Sequence, residues 1–103
     1  MHDRDAVATP TSPQGRTVEI PALVWAHVRR HHAMHDALDL VCLAIAKPDL
    51  QEPDPHPGRE RYWLRAPSRF PFRWVRAVVQ FAGDTDTLVT AFGQDNDPAG
   101  TGE

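Results

Sequence analysis

Prolines at 21, 48, 53, 55, 57, 67 and 71 punctuate the interior of this chain, and their spacing constrains it more than any other feature. Proline lacks a donor N–H and disfavours the helical region for the residue before it. Pro21 suits the first turn of a helix, where its N–H would be unpaired anyway. Pro48 ends a helix or falls just past its end. The run Pro53-Asp54-Pro55-His56-Pro57 marks Asp49 to Gly58 as a loop.

The segments between follow two periods. Val24, Trp25, Val28 and His32 share one broad face at helical spacing, which predicts a helix over 21–32. Asp36 is placed to cap a second helix over 36–47, where Leu40, Leu43 and Ala44 recur beside Val41 and Ile45. Thr17 to Ile20 is a short β-prone run. Arg61 to Ala66, Phe72 to Phe81 and Leu88 to Phe92 read as further strands, with Pro67-Ser68 and Gly83-Asp84 supplying turn residues. The order β-α-α-β-β-β predicts an α+β domain: two N-terminal helices packed on one face of a small antiparallel sheet. Its expected limits are 17–93, between a flexible N-terminal segment (1–16) and a flexible acidic tail (94–103).

The chain has 103 residues, enough for one domain. Its longest apolar run, Leu40 to Ala46, is far short of the roughly 20 residues of a membrane span. The first residues are acidic and polar, where a signal peptide would be basic and then apolar. No membrane association and a cytoplasmic location are expected. A single cysteine, Cys42, excludes an internal disulfide and cysteine-based zinc fingers; it lies in an apolar helix face and reads as inert core. There is no glycine-rich phosphate loop and no Gly-x-Ser-x-Gly.

The net charge of −3 conceals an uneven distribution. Residues 59–76 carry six arginines, at 59, 61, 65, 69, 73 and 76, against one acid, Glu60. Tyr62, Trp63, Phe70, Phe72 and Trp74 lie between them. Period two puts Arg61, Trp63 and Arg65 on one face of a strand and Tyr62 and Leu64 on the other. It also puts Arg76 with Phe72, Trp74 and Val78, and Arg73 with the apolar set Val75, Ala77, Val79 and Phe81. Guanidinium groups beside aromatic rings suit single-stranded RNA, which offers phosphates and unstacked bases. Equally, a domain this small needs aromatics for its core, and surface strands commonly carry charge.

A second constellation is Trp25-Ala26-His27-Val28-Arg29-Arg30-His31-His32, with His35 beyond. His27, His31 and His35 fall on one stripe of a continuous helix. This admits a solvated face at a helix C-terminus, acid–base chemistry near neutral pH, or a metal site. The metal reading lacks further ligands.

Taken in order, several motifs resemble the PBECR domains, phage-associated relatives of the barnase, EndoU, colicin and RelE-like ribonucleases. They are Trp25-x-His27-Val28…His32, Ala46-Lys47-Pro48-Asp49-Leu50, Arg59-x-Arg61-Tyr62-Trp63, Val75-Arg76-Ala77-Val78-Val79-Gln80-Phe81 and Val89-Thr90-Ala91-Phe92. The resemblance covers about residues 17–93. It implies a RelE/barnase-like fold and a toxin-like, metal-independent endoribonuclease that needs no cofactor and has an antitoxin or immunity-type protein partner. Such cleavage uses the RNA 2′-hydroxyl as nucleophile, with a base, an acid and cations around the phosphate. By the motif match, His27 and His32 become the base and the acid, in an order the motif does not assign, and Arg61 and Arg30 hold the phosphate. Tyr62 orients or stacks the base, or equally belongs to the core, and Thr90 donates a hydrogen bond to phosphate. Arg29, Arg59, Trp63, Arg65, Arg73 and Arg76 would bind RNA. The chain departs from the family where His32-Ala33-Met34 replaces His-Pro-Glu. That departure and the acidic tail support a competing expectation, a catalytically inactive RNA- or protein-binding module.

Overall fold

Short β-prone runs separated by turn residues give strands, and each must find a partner that buries its apolar side. The computed structural model describes residues 6–30 and 34–98; the expectations for His31, His32 and both extreme ends lie outside them. The described elements run β1 (Ala6–Ala8), β2 (Thr17–Pro21), α1 (Ala22–Val28), a 3-10 turn (Met34–Asp36), α2 (Leu38–Ala46), β3 (Leu50–Pro53), β4 (Arg59–Arg65), β5 (Trp74–Gln80) and β6 (Thr85–Gln94). Six strands form one sheet in the order β1-β2-β6-β5-β4-β3.

This overturns the expected β-α-α-β-β-β order, and with it the small antiparallel sheet and the RelE/barnase-like arrangement. The protein is α+β, but its sheet is larger and mixed. β2 runs parallel to β6, with Thr17 opposite Thr85 and Glu19 opposite Thr87, while the other pairs are antiparallel. Local pattern identifies a strand without naming its partner, so the pairing of β2 with the last strand had no local signal. Two strands are additional. β1 adds an edge to β2 within the stretch expected to be flexible. β3 lies in the expected loop, where Leu50 faces Trp63 and Glu52 faces Arg61. Its last residue is Pro53, and an edge strand tolerates a residue that cannot donate to the ladder.

Both helices cover the same side of the sheet. Trp25 and Val28 of α1 and Leu40, Val41, Ala44 and Ile45 of α2 join Val18, Ile20, Tyr62, Leu64, Val75, Ala77, Val79, Leu88 and Ala91 in one core. Complete burial of a valine or leucine side chain stabilises by about 1.5–3 kcal/mol, so this face carries the fold. α1 is shorter than expected. Pro21 sits at its N-cap in an extended conformation, and Arg30 N–H closes the last turn on His27 O at 3.3 Å. α2 is capped at Ala37 with no side-chain bond, so Asp36 does not cap it; Asp36 lies in the 3-10 turn, 3.1 Å from His35 Nε2. Among the described residues no helix is long and apolar enough to cross a membrane.

At the far end of β6, Gly93 leaves room for two rings. A Cβ there would meet Phe72 Cδ2 at 2.5 Å and Phe70 Cε2 at 2.9 Å. Gly93→Ala should therefore cost about 1–3 kcal/mol by overpacking. Leu88→Ala, at a fully buried position of the same strand, should cost about 2–5 kcal/mol. Leu23→Ala, at an exposed helical position, should stay within about 0.5 kcal/mol. Urea midpoints for the three variants check this ranking.

Candidate functional site

Among the described residues no helix covers the other side of the sheet, and the residues there are arranged in cross-strand rows. One row runs Leu50, Trp63, Arg76, Phe92; the next runs Glu52, Arg61, Val78, Thr90. Arg59 pairs with Gln80 and Arg65 with Trp74 on the same side. A bulge in β6 completes the rows: Val78 faces Thr90 while Val79 faces Leu88, leaving Val89 as the extra residue. Without it, Leu88, Thr90 and Phe92 would share a side. With it, Leu88 points to the core, and Thr90 and Phe92 join the arginines.

Arginine side chains roof the aromatic rings. The Arg76 guanidinium carbon lies 5.2 Å from the Trp63 ring centre and 4.9 Å from that of Phe92. Arg65 lies 5.3 Å from the Trp74 ring, and Trp74 meets Trp63 edge-on with ring centres 6.2 Å apart. The guanidinium distances suit attraction between a cation and a ring quadrupole. Trp63 is only 1% exposed under this cover. Its indole N–H donates to Glu52 Oε2 at 3.0 Å.

The cations differ in how far they are neutralised. Arg61 is held between two acids: Nη1 is 3.6 Å from Glu52 Oε2, and Nε is 3.2 Å from Asp54 Oδ1 without the alignment of a hydrogen bond. Arg59 Nε donates to Gln80 Oε1 at 2.9 Å. Arg76 makes no ion pair with any described residue, and its buried Nε has no hydrogen-bond partner among them. Burial, and then the charge of Arg61, lower its pKa below the usual arginine value, with Asp54 and Glu52 opposing. Arg76 is thus a half-buried cation backed by two rings, with no ion pair among the described residues.

The residues expected to work together are divided by the sheet. Arg61 and Thr90 lie on the helix-free side with Arg59, Trp63, Arg65 and Arg76. Tyr62 is buried on the helix side, in the core with Trp25 and Val28. His27, Arg29 and Arg30 belong to the end of α1, in the helix layer, and all three are exposed. The sheet therefore stands between His27 and Arg61, and His32 lies outside the described residues. Arg73 is exposed in the loop before β5. Arg69 is drawn to α2, where its Nη2 donates to Asp39 Oδ2 at 3.0 Å. Among the described residues no group of three or more His, Cys, Asp or Glu side chains is placed to hold a metal ion.

Sequence reasoning missed the acids of this face. Glu52 and Asp54 alternate opposite Arg61 once β3 is recognised as a strand, and that alternation was the available signal. Trp74 was visible as part of the aromatic series, whereas Phe92 depends on the bulge. Cys42 is partly buried, and burial followed by Asp39 pushes its thiol pKa up, as an unreactive cysteine requires.

No family model matches this chain, and no match is found among curated proteins or solved structures. The resemblance to PBECR domains therefore rests on the five short motifs alone.

Tyr62 is the chain's only tyrosine, which makes its position directly testable. Burial raises its phenol pKa above 10.0, against a lowering by a hydrogen bond with Ser12. The folded state thus holds the proton more tightly than the unfolded chain. Its contribution is fully present below about pH 10 and is lost as pH climbs through the raised folded value. The tyrosinate absorbance of the native protein should rise only above the pH at which the urea-unfolded chain ionises. Coincident titrations would show a solvated phenol instead.

Proposed function

We propose that this chain is a single-stranded RNA-binding module, without catalysis, whose contact surface is the helix-free side of the sheet. The observation that carries the reading is Arg76, set over Trp63 and Phe92 with no ion pair to an acid among the described residues, beside Arg65 over Trp74. A guanidinium backed by a ring offers phosphate its N–H donors and offers an unstacked base a flat cationic surface. Arg59 and Arg73 extend the positive margin, and Thr90 adds a hydroxyl in the row of Arg61, with Val78 between the two. Glu52 and Asp54 fix Arg61 in place and offset its charge, so Arg61 contributes shape more than attraction.

The nuclease alternative needs a base, an acid and an arginine around one phosphate. The separation of His27 from Arg61 and Thr90 by the sheet favours binding over cleavage, as does the Ala33-Met34 departure from the family motif.

Anisotropy of a labelled single-stranded RNA with the full chain tests the reading. Affinity should fall steeply between about 50 and 200 mM salt, by counterion release. Arg76→Ala and Arg65→Ala should each weaken binding by about three- to tenfold and flatten the salt slope by about 0.7 for each phosphate no longer neutralised. His27→Ala should leave affinity unchanged, and the RNA should be recovered intact. Fragments with 2′,3′-cyclic phosphate ends, absent with His27→Ala, would overturn the proposal in favour of the nuclease. Salt-independent binding, or none at low salt, would overturn it outright.

A further inference from the structure

The chain that leaves β6 turns back onto the end of the same arginine–tryptophan face. Asp95 Oδ1 accepts the backbone N–H of Arg73 at 3.2 Å. Asp97 Oδ1 accepts the indole N–H of Trp74 at 3.1 Å and lies 3.8 Å from Arg73 Nη2. Pro98, just beyond, is buried, so the segment is seated on the domain and does not merely pass it. Trp74 is the ring under Arg65. A carboxylate therefore occupies the position where the Arg73 guanidinium and an indole N–H converge, on the ring that carries Arg65, and such donors would also suit a phosphate.

We infer that the acidic segment Asp95–Pro98 is a built-in competitor of the RNA backbone, its carboxylates standing in for phosphate at the Arg73–Trp74 end of the face. This rests on the reading of that face as an RNA-binding surface. The segment follows β6 directly, so its local concentration at Arg73 is high whatever the concentration of protein. Its contacts are individually weak: the Asp97 and Arg73 side chains are 41% and 57% exposed, and exposed ion pairs contribute little. A polyanion engaging Arg65, Arg73 and Arg76 together can displace it, whereas a single phosphate competes with it on equal terms. The segment thus sets a threshold favouring longer anionic strands over mononucleotides.

The test compares Asp97→Asn with Asp36→Asn in the full chain, by anisotropy of the same labelled RNA at about 50 mM salt. Both variants remove one negative charge. Asp97→Asn keeps a side-chain acceptor for Trp74, while Asp36 lies in the 3-10 turn of the helix layer and is 86% exposed. Asp97→Asn should tighten binding by about three- to tenfold, and Asp36→Asn by less than about twofold. Adding Asp95→Asn to Asp97→Asn should tighten it further. If wild type binds RNA and the two single variants shift affinity equally, or Asp97→Asn does not shift it, the competitor role is overturned and the binding face stands. If neither wild type nor any variant binds, both are overturned.

Discussion

A two-pronged contact between Arg16 and Asp86 fixes the one pairing on which the sheet's mixed topology depends. Arg16 Nε donates to Asp86 Oδ2 at 2.8 Å, and Nη2 donates to Oδ1 at 2.6 Å and to Gly83 O at 2.6 Å. The Asp86 side chain is fully buried, and Ala82 N–H adds a longer bond at 3.4 Å. Because Val18 faces Asp86, the contact joins the residue just before β2 to the start of β6 at their parallel register. A one-residue slip would turn Val18 and Ile20 outward and leave a buried carboxylate without its cation. Buried ion pairs contribute modestly to net stability, but breaking one is costly. Here the contact selects a register.

With β2 held, the two sides of the sheet become different surfaces. The helix side is closed by aliphatic packing and by Tyr62. The other has no helix, and the long stems of arginine take over that role, covering Trp63 and Trp74 while keeping charge at the surface. The protein thus buries two of its three tryptophans outside its main core. The same side chains that complete the packing form the candidate contact surface, so a variant there tests both stability and binding.

Much of this was legible residue by residue. Period two alone separated Tyr62 and Leu64 from Arg61, Trp63 and Arg65, and it grouped Arg76 with Trp74 and Val78. The helical spacing of Val24, Trp25, Val28 and His32, and of Leu40, Leu43 and Ala44 with Val41 and Ile45 beside them, located both helices, although Leu43 itself is exposed. What escaped was non-local. Gln51 and Glu52 have little strand preference, and they extend because β4 offers them a partner. Ala6 to Ala8 are likewise drawn into a strand by β2. The bulge at Val89 changes which side Thr90 takes without changing a single residue type. The division of His27 from Arg61 depends on which side of the sheet the helices cover, and no local pattern specifies that.

The parallel pair also orders events in time. Strands β3 to β6 form an antiparallel meander whose neighbours are close in sequence, so they can zip together over short loops. β2 cannot join them, because Thr17 waits for Thr85 at the start of the last strand. Contacts between such distant positions raise contact order and slow folding relative to the meander. During synthesis, Val18 and Ile20 emerge early and find their partner strand only when β6 has cleared the ribosome. For that interval they are apolar surface without a sheet, which makes the early end of this chain the part most in need of shelter while it is being made.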